Sequence, residues 1–263
     1  PATMPMHSPL TNAASFMIYP LLFYLVCCQF SRKNGEKHGA LLAKTGVKWY
    51  NIMIENFVTK GAPAMSIERL QAAIREKKTP VALGLAPEID KVPAKILKNF
   101  EDMFGPGMMA NAEALRFHGC QAMDAAQGKL PAVVISAEHY LRYGMMGADV
   151  LSNLTGAASA RGLYAIVDCR TTRPELWLTS PMAGDGFTVM PYVGGDCVPE
   201  NTDKGIFAVV RTANERSGEV QNLIAGDRPL YAAVAQQMAR RGAALVVETG
   251  MRTEMGKIAA LLE

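Results

Sequence analysis

The run LYAIVDC (residues 163–169) begins with five apolar residues and does not alternate between polar and apolar positions. A short, continuous apolar run of this kind is typical of a strand buried on both faces of a parallel sheet. Asp168 lies near its end, and Arg170 and Arg173 follow. Because α/β barrels carry their sites at the carboxyl ends of their strands, this stretch is both a candidate strand and a candidate site.

Five further apolar runs resemble the first, at residues 80–86, 131–136, 186–192, 205–212 and 243–249. Helical patterns separate most of them, and a first helix is predicted from Ser66 through Lys78. Alternating apolar strands and helices predict a parallel sheet covered on both faces. Six such units favour a TIM (β/α)8-type barrel over an open sheet, with polar residues at the carboxyl ends of the strands.

The composition describes a well-cored protein, with 49% apolar and 19% charged residues among 263. This length fits one large α/β domain or two small ones. The net charge of +3 is too small to indicate nucleic acid as a partner. Five cysteines without a C-x-x-C pair favour reduced thiols over a disulfide framework or a zinc site. We therefore expect no metal and no cofactor.

The amino-terminal part of the chain is apolar and carries no Asp, Glu, Lys or Arg before Arg32. A helix over residues 13–30 would be about 27 Å long, close to the thickness of a bilayer's hydrocarbon core. The basic residues directly after it would place the rest of the chain on the cytoplasmic or matrix side. The alternatives are the core of a signal peptide and a buried helix. The predicted divisions are an apolar, candidate transmembrane segment at 1–31, a basic linker at 32–64 and a barrel at 65–263.

The chain begins with Pro1 rather than Met. Either an initiator methionine or a longer presequence has been removed, and the second alternative would fit an organelle protein.

The ends of the predicted strands carry a series of motifs: GLAPEIDKVP, AVVISAEHYLRYG, IVDCRTTRP, GFTVMPYVGGD, GIFAVVRTANERSGEVQNL and LVVETG. This series resembles bacterial-type orotidine 5'-phosphate decarboxylase, a TIM barrel whose strands end in G-L-D-P, V-K-P-Q, D-A-K-R-G-D, T-V-N-P-Y-x-G, V-R-T-S-N and V-G-A-T. The resemblance covers about residues 66–250. It implies the fold of that family, and its activity is a separate expectation.

In that family a lysine stabilises and protonates a carbanion-like centre, and flanking carboxylates hold it in a Lys–Asp–Lys–Asp array. Carried over by the resemblance, the G-L-D-P aspartate falls on Ala86 and the V-K-P-Q lysine on Val134. The first acid of D-A-K-R-G-D is kept as Asp168, its lysine becomes Arg170, and its second acid becomes Arg173. Arginine delivers a proton poorly at neutral pH. We therefore expect no catalytic residues, only vestigial positions with an Asp168–Arg170 salt bridge.

The family continues past V-G-A-T into two further strands and a P-G-x-G-x-Q-G-G phosphate loop, where this chain has ETGMRTEMGKIAALLE. The expected fold is therefore a C-terminally truncated barrel of about six β/α units, preceded by an apolar helix. An unclosed barrel exposes strand edges, which favours a covering partner.

Three functions are compatible with these features. The first is a non-catalytic accessory or structural subunit of a membrane-associated assembly, such as a respiratory complex of the mitochondrial inner membrane. Its barrel would face the matrix, its partners would be other protein subunits, and residues 13–30 would contact lipid. The second is an enzyme after all, a residual decarboxylase or a barrel with new chemistry that uses Asp168, Arg170, Arg173 and Asp196. The third is a nucleotide-sensing module.

Several other polar residues are not expected to act. Lys95, Lys98 and Lys129 are predicted to be solvated. His118 and His139 lie on predicted helices without a suitable second metal ligand one turn away. The glycine-rich stretches at 105–111 and 192–196 match no phosphate-binding pattern and are predicted to be turns.

Overall fold

The computed structural model describes residues 65–247. Its main feature is a sheet of six parallel strands in the order β1-β2-β3-β4-β5-β8. Each predicted apolar run overlaps one of these strands, so the six predicted strands are confirmed. Strand neighbours follow the chain order without reversal, as in a barrel wall. The strands are β1 (Ala82–Leu85), β2 (Ala132–Ser136), β3 (Tyr164–Thr171), β4 (Gly186–Val189), β5 (Gly205–Arg211) and β8 (Ala244–Val247).

Helices connect most of these strands, and a small antiparallel hairpin of β6 (Ile224–Ala225) and β7 (Arg228–Pro229) lies between β5 and β8. The architecture of the described residues is a TIM-barrel-like half-barrel. The helices are α1 (Met65–Lys77), α2 (Ala94–Phe104), α3 (Met108–Ala126), α4 (Ala137–Leu141), α5 (Gly144–Ala160), α6 (Pro174–Leu178), α7 (Gly218–Gln221) and α8 (Leu230–Arg240).

Alternate residues of most of the strands enter two separate apolar clusters, because successive side chains of a strand point to opposite faces. Val133, Ile135 and Val167 belong to the larger cluster, between the sheet and its covering helices. Val134 and Ile166 belong to the inner cluster, which fills the concave side of the half-barrel. The continuous apolar runs of the sequence therefore reflect burial on both faces.

Helix α1 closes the amino ends of the strands. Its Leu70 is 1% exposed and belongs to the inner cluster. The Ser66 hydroxyl lies 2.6 Å from the Tyr164 hydroxyl and donates to the carbonyl of Asp185 at 2.7 Å. Arg69 forms an ion pair with Asp185, and the Asp185 carboxylate also accepts from the backbone N–H of Ala165 at 2.8 Å. These contacts hold α1 against the amino ends of the strands.

The segment between β2 and β3 forms two helices, α4 and α5. The chain turns at Gly144, whose φ is +63°, and α4 then packs against α5. A Cβ atom at Gly147 would overlap the carbonyl of Tyr140. The close approach of two backbones therefore explains the break. The glycine-rich stretch at 105–111 includes the turn between α2 and α3, as predicted, and residues 191–197 form two short 3-10 turns.

No helix within residues 65–247 has the length and apolar character that a membrane crossing requires. The predicted span at 13–30 and the linker at 32–64 lie outside the described residues.

Candidate functional site

Polar side chains meet at the carboxyl ends of β2, β3 and β4. The parallel register places Ser136 of β2 directly opposite Asp168 of β3. Between Val167 and Thr171 the pairing of β3 with β4 shifts register. Arg170 lies within this bulge and has a φ of +45°, a conformation that side chains other than glycine adopt rarely. Bulges and such conformations recur next to functional sites, where they reorient a side chain.

Thr188 of β4 holds the bulge in place. Its hydroxyl donates to Oδ1 of Asp168 at 2.7 Å. It also accepts from the backbone N–H groups of Cys169 at 3.0 Å and Arg170 at 2.8 Å. Thr188 is fully buried, so these hydrogen bonds satisfy groups that water cannot reach.

Asp168 and Arg170 form the expected ion pair. The Arg170 guanidinium donates from Nε to Oδ1 at 3.4 Å and from Nη2 to Oδ2 at 3.3 Å. The Asp168 side chain is 11% exposed and that of Arg170 is 39% exposed, so the carboxylate is sheltered and the guanidinium reaches solvent. The pair can orient or neutralise a bound anion. It is poorly suited to proton transfer, because guanidinium stays protonated at neutral pH.

The thiol of Cys169 lies beside this pair and is not a nucleophile at neutral pH. Burial raises its pKa to about 12, and the thiol contacts the carbonyl oxygen of Thr188 at 3.4 Å. A cysteine needs a lowered pKa to react, so Cys169 acts as packing here.

A second polar group at this edge escaped prediction. Ser136 Oγ lies 2.8 Å from Nδ1 of His139, on α4. Nε2 of His139 lies 3.4 Å from Oε1 of Glu88, in the loop after β1. Arg142 contacts the other carboxylate oxygen of Glu88 at 3.1 Å. The local S-x-x-H spacing at the end of a strand was visible in the sequence, but its pairing with Glu88 required the fold.

The loop after β5 also lies at this edge of the sheet, and hydrogen bonds from its own side chains hold its conformation. Gln221, which is 8% exposed, accepts from the backbone N–H of Thr212 at 3.0 Å and donates to its hydroxyl at 2.8 Å. Arg211 donates to Asn222 at 2.7 Å, and Tyr192 donates to the carbonyl of Val210 at 2.6 Å. Burial raises the pKa of Tyr192.

The remaining candidates lie elsewhere. Lys95, Lys98 and Lys129 are exposed, as predicted. His118 is partly buried on α3, and burial lowers its pKa. Within residues 65–247, no group of three His, Cys, Asp or Glu side chains could hold a metal ion.

No family model matches the chain. An orotidine 5'-phosphate decarboxylase from Rhodopirellula baltica is 26% identical over 188 residues, covering 64% of this chain and 61% of the relative. The enzyme of the same name from Clostridium novyi is 25% identical over 199 residues, covering 70% of this chain and 66% of the relative. The chain thus spans less than two thirds of the length of these two relatives.

Solved structures show the same fold. Plasmodium berghei orotidine 5'-monophosphate decarboxylase superposes with a TM-score of 0.53 at 16% identity, covering 66% of this chain and 70% of that one. Leishmania donovani OMP decarboxylase superposes with a TM-score of 0.50 at 22% identity, covering 69% and 70%.

The chain is similar to the orotidine 5'-phosphate decarboxylases. The residues at the positions that match the family's array have different surroundings. Val134 is 5% exposed and packs in the inner cluster, and Ala86 lies one residue beyond β1. Arg173 precedes α6 and forms an ion pair with the exposed Glu175, whose pKa it lowers through this hydrogen bond. Asp196 is exposed in the turn at 195–197.

These relatives correct one prediction. The expectation of an accessory subunit of a membrane-associated, mitochondrial respiratory complex is wrong, because the similarity is to orotidine 5'-phosphate decarboxylases. That expectation depended on reading the apolar run at 13–30 as a membrane span. The transmembrane and mitochondrial parts of the prediction are not supported either. The alternative of a decarboxylase-like or nucleotide-sensing protein fits better.

Proposed function

We propose that this chain is an orotidine 5'-phosphate decarboxylase-like protein that binds a pyrimidine nucleotide at the carboxyl edge of its half-barrel without decarboxylating it. The observation that carries the proposal is the Asp168–Thr188–Arg170 cluster. It stands where the resemblance places the family's aspartate and lysine, and its buried groups are hydrogen-bonded. A nucleotide-sensing role follows from binding without turnover.

The loss of decarboxylation follows from the side chains at the array. A positioned acid or base typically contributes about 10²–10⁴-fold in rate. Val134 has no proton to give, and Arg170 holds its proton too tightly at neutral pH. Arg173, where the family has an acid, pairs with Glu175. The anion-orienting part of the site can thus remain while the proton-transfer part is missing.

Isothermal titration calorimetry of the full chain with UMP and with orotidine 5'-phosphate tests the binding. We expect saturable binding that Arg170→Ala weakens at least about tenfold, as removal of a charged hydrogen-bond partner does. Arg161→Ala is the matched control, because Arg161 pairs with Asp124 on the helical layer and its loss leaves binding unchanged. The absence of binding at millimolar nucleotide would overturn the proposal.

The loss of catalysis is tested by release of labelled CO2 from carboxyl-labelled orotidine 5'-phosphate. We expect the natural chain to release CO2 no faster than the reaction without protein, and this background rate is the reference. A variant that rebuilds the array, with Ala86→Asp, Val134→Lys, Arg170→Lys and Arg173→Asp, gains at least about 10²-fold over the natural chain. Circular dichroism checks that this variant is folded. Turnover by the natural chain at the rate of a relative such as the Clostridium novyi enzyme contradicts this part of the proposal.

A further inference from the structure

We propose that Ser136, His139 and Glu88 form a nucleophile, base and orienting acid that hydrolyse carboxylic esters at the carboxyl edge of the sheet. A serine activated by a histidine, which a third group orients, is the arrangement that covalent acyl transfer requires. The three residues come from different parts of the fold: the end of β2, helix α4 and the loop after β1.

The geometry allows a proton to pass from Ser136 to His139. Ser136 Oγ lies 2.8 Å from Nδ1 of His139, so Nδ1 can accept the hydroxyl proton when the ring proton resides on Nε2. Nε2 lies 3.4 Å from Oε1 of Glu88, where a carboxylate stabilises that tautomer and the imidazolium formed during reaction. Arg142 contacts the second oxygen of Glu88 at 3.1 Å and so orients the carboxylate.

The Ser136 hydroxyl does not cap the helix that follows it. Ser136 immediately precedes α4, where serine commonly caps the helix. Its side chain makes no capping hydrogen bond to the backbone of α4, and the imidazole is its recorded partner. Both Ser136 and His139 are partly exposed, so a ligand can reach them.

The reaction balances without a cofactor. Ser136 Oγ attacks the ester carbonyl carbon while its proton passes to Nδ1 of His139. The carbon–oxygen bond to the leaving alcohol then breaks, and His139 returns the proton to the departing alkoxide. Water next attacks the acyl-serine, again giving a proton to His139, and the carboxylic acid leaves as Ser136 regains its proton.

The substrate class is a carboxylic ester, because the step needs an electrophilic carbonyl carbon for Ser136 Oγ and a leaving alcohol that takes the proton from His139. Asp168 stands opposite Ser136 in the strand register.

We call Ser136, His139 and Glu88 the relay. Labelling of the full chain with a fluorophosphonate, followed by peptide mass spectrometry, tests it. The probe loses fluoride as its phosphorus bonds to the activated serine oxygen. We expect modification of Ser136, loss of that modification in Ser136→Ala, and labelling at least about 10²-fold slower in His139→Ala. Ser159→Ala is the matched control, because Ser159 is an exposed serine on α5 and its loss leaves labelling unchanged.

Glu88 acts through His139 and is a positioning residue, so its variants are judged by rescue. Glu88→Gln slows labelling because the imidazole loses the carboxylate that orients it, and Glu88→Asp, which keeps a carboxylate, recovers part of the rate. Hydrolysis of p-nitrophenyl acetate by the same variants gives the turnover readout. Unmodified Ser136, or equal labelling rates in the natural chain and His139→Ala, would overturn the inference.

The inference is independent of nucleotide binding. Titration of Ser136→Ala with UMP separates the two, because the relay can fail while the Asp168–Arg170 cluster still binds the nucleotide.

Discussion

Thr188 connects β3 to β4 through a single buried hydroxyl. It accepts from two backbone N–H groups of β3 and donates to Asp168. One side chain thus positions both members of the Asp168–Arg170 pair, and it holds a backbone conformation that Arg170 would otherwise avoid.

Replacing Thr188 with valine keeps the shape of the side chain and removes its hydroxyl. Buried donors and the Asp168 carboxylate then lose a partner, which costs about 1–3 kcal/mol in the free energy of unfolding. Urea denaturation measures it. Thr172→Val is the control, because Thr172 is exposed, and its effect stays within about 0.5 kcal/mol. Equal effects of both variants would show that the network contributes nothing.

His118 makes stability depend on pH. Burial lowers its pKa in the folded chain below the ordinary 6.5, so the unfolded chain takes up a proton first as the pH falls. Stability from this residue is fully present above about pH 6.5 and decreases below it. We expect His118→Gln to flatten the decline of the unfolding free energy below that pH. Identical slopes for the two proteins would contradict this assignment.

At the scale of elements, the junction of α4 and α5 decides where the candidate relay lies. Helix α4 carries His139 and ends one residue before Arg142, and the contact at Gly147 sets the packing of α5 against it. The short helix therefore keeps the imidazole beside Ser136.

Two glycines of α5 give a matched pair of substitutions. Gly147→Ala forces a methyl group into the carbonyl of Tyr140, and we expect a cost of about 1–3 kcal/mol, as in other overpacked sites. Gly156→Ala meets nothing within 4 Å and stabilises the helix by about 0.5–1 kcal/mol. Thermal and urea unfolding compare the two. If Gly147→Ala leaves the free energy of unfolding unchanged, the two helices can move apart freely.

At the scale of the whole described molecule, α1 is the element that closes the concave side of the sheet. Its Leu70 packs in the inner cluster with side chains from four strands, among them Phe207 and Val246. Helix α1 and the candidate site therefore lie at opposite ends of the same strands. Helix α1 supports the sheet without contributing side chains to the site.

Leu70→Ala tests this support. The variant leaves a cavity in the inner cluster, which costs about 2–5 kcal/mol in the free energy of unfolding. Leu176→Ala is the control, because Leu176 is 64% exposed, and its cost stays below about 1 kcal/mol. If both variants unfold alike, α1 does not close the core.

The sequence by itself determined the parts of this protein that depend on local pattern. The continuous apolar run at 163–169 predicts a strand buried on both faces, and the structure places β3 there. The alternation of such runs with helices predicts the barrel type, and the expected Asp168–Arg170 pair needs only two positions of one strand. The functional prediction built on the apolar run at 13–30 is wrong, because the similarity of the barrel is to orotidine 5'-phosphate decarboxylases, and the run itself lies outside the described residues.

Tertiary structure alone decided the contacts between residues far apart in sequence. The helical pattern at 137–162 does not show where a helix ends, and the break at Gly144 follows from the packing of α4 on α5. Thr188 reaches Asp168 only through the pairing of β3 with β4. Glu88 and His139 meet because parallel strands bring their carboxyl ends to one edge. A sequence pattern shows which face of an element is apolar, whereas the partner of a polar side chain depends on which elements the fold brings together.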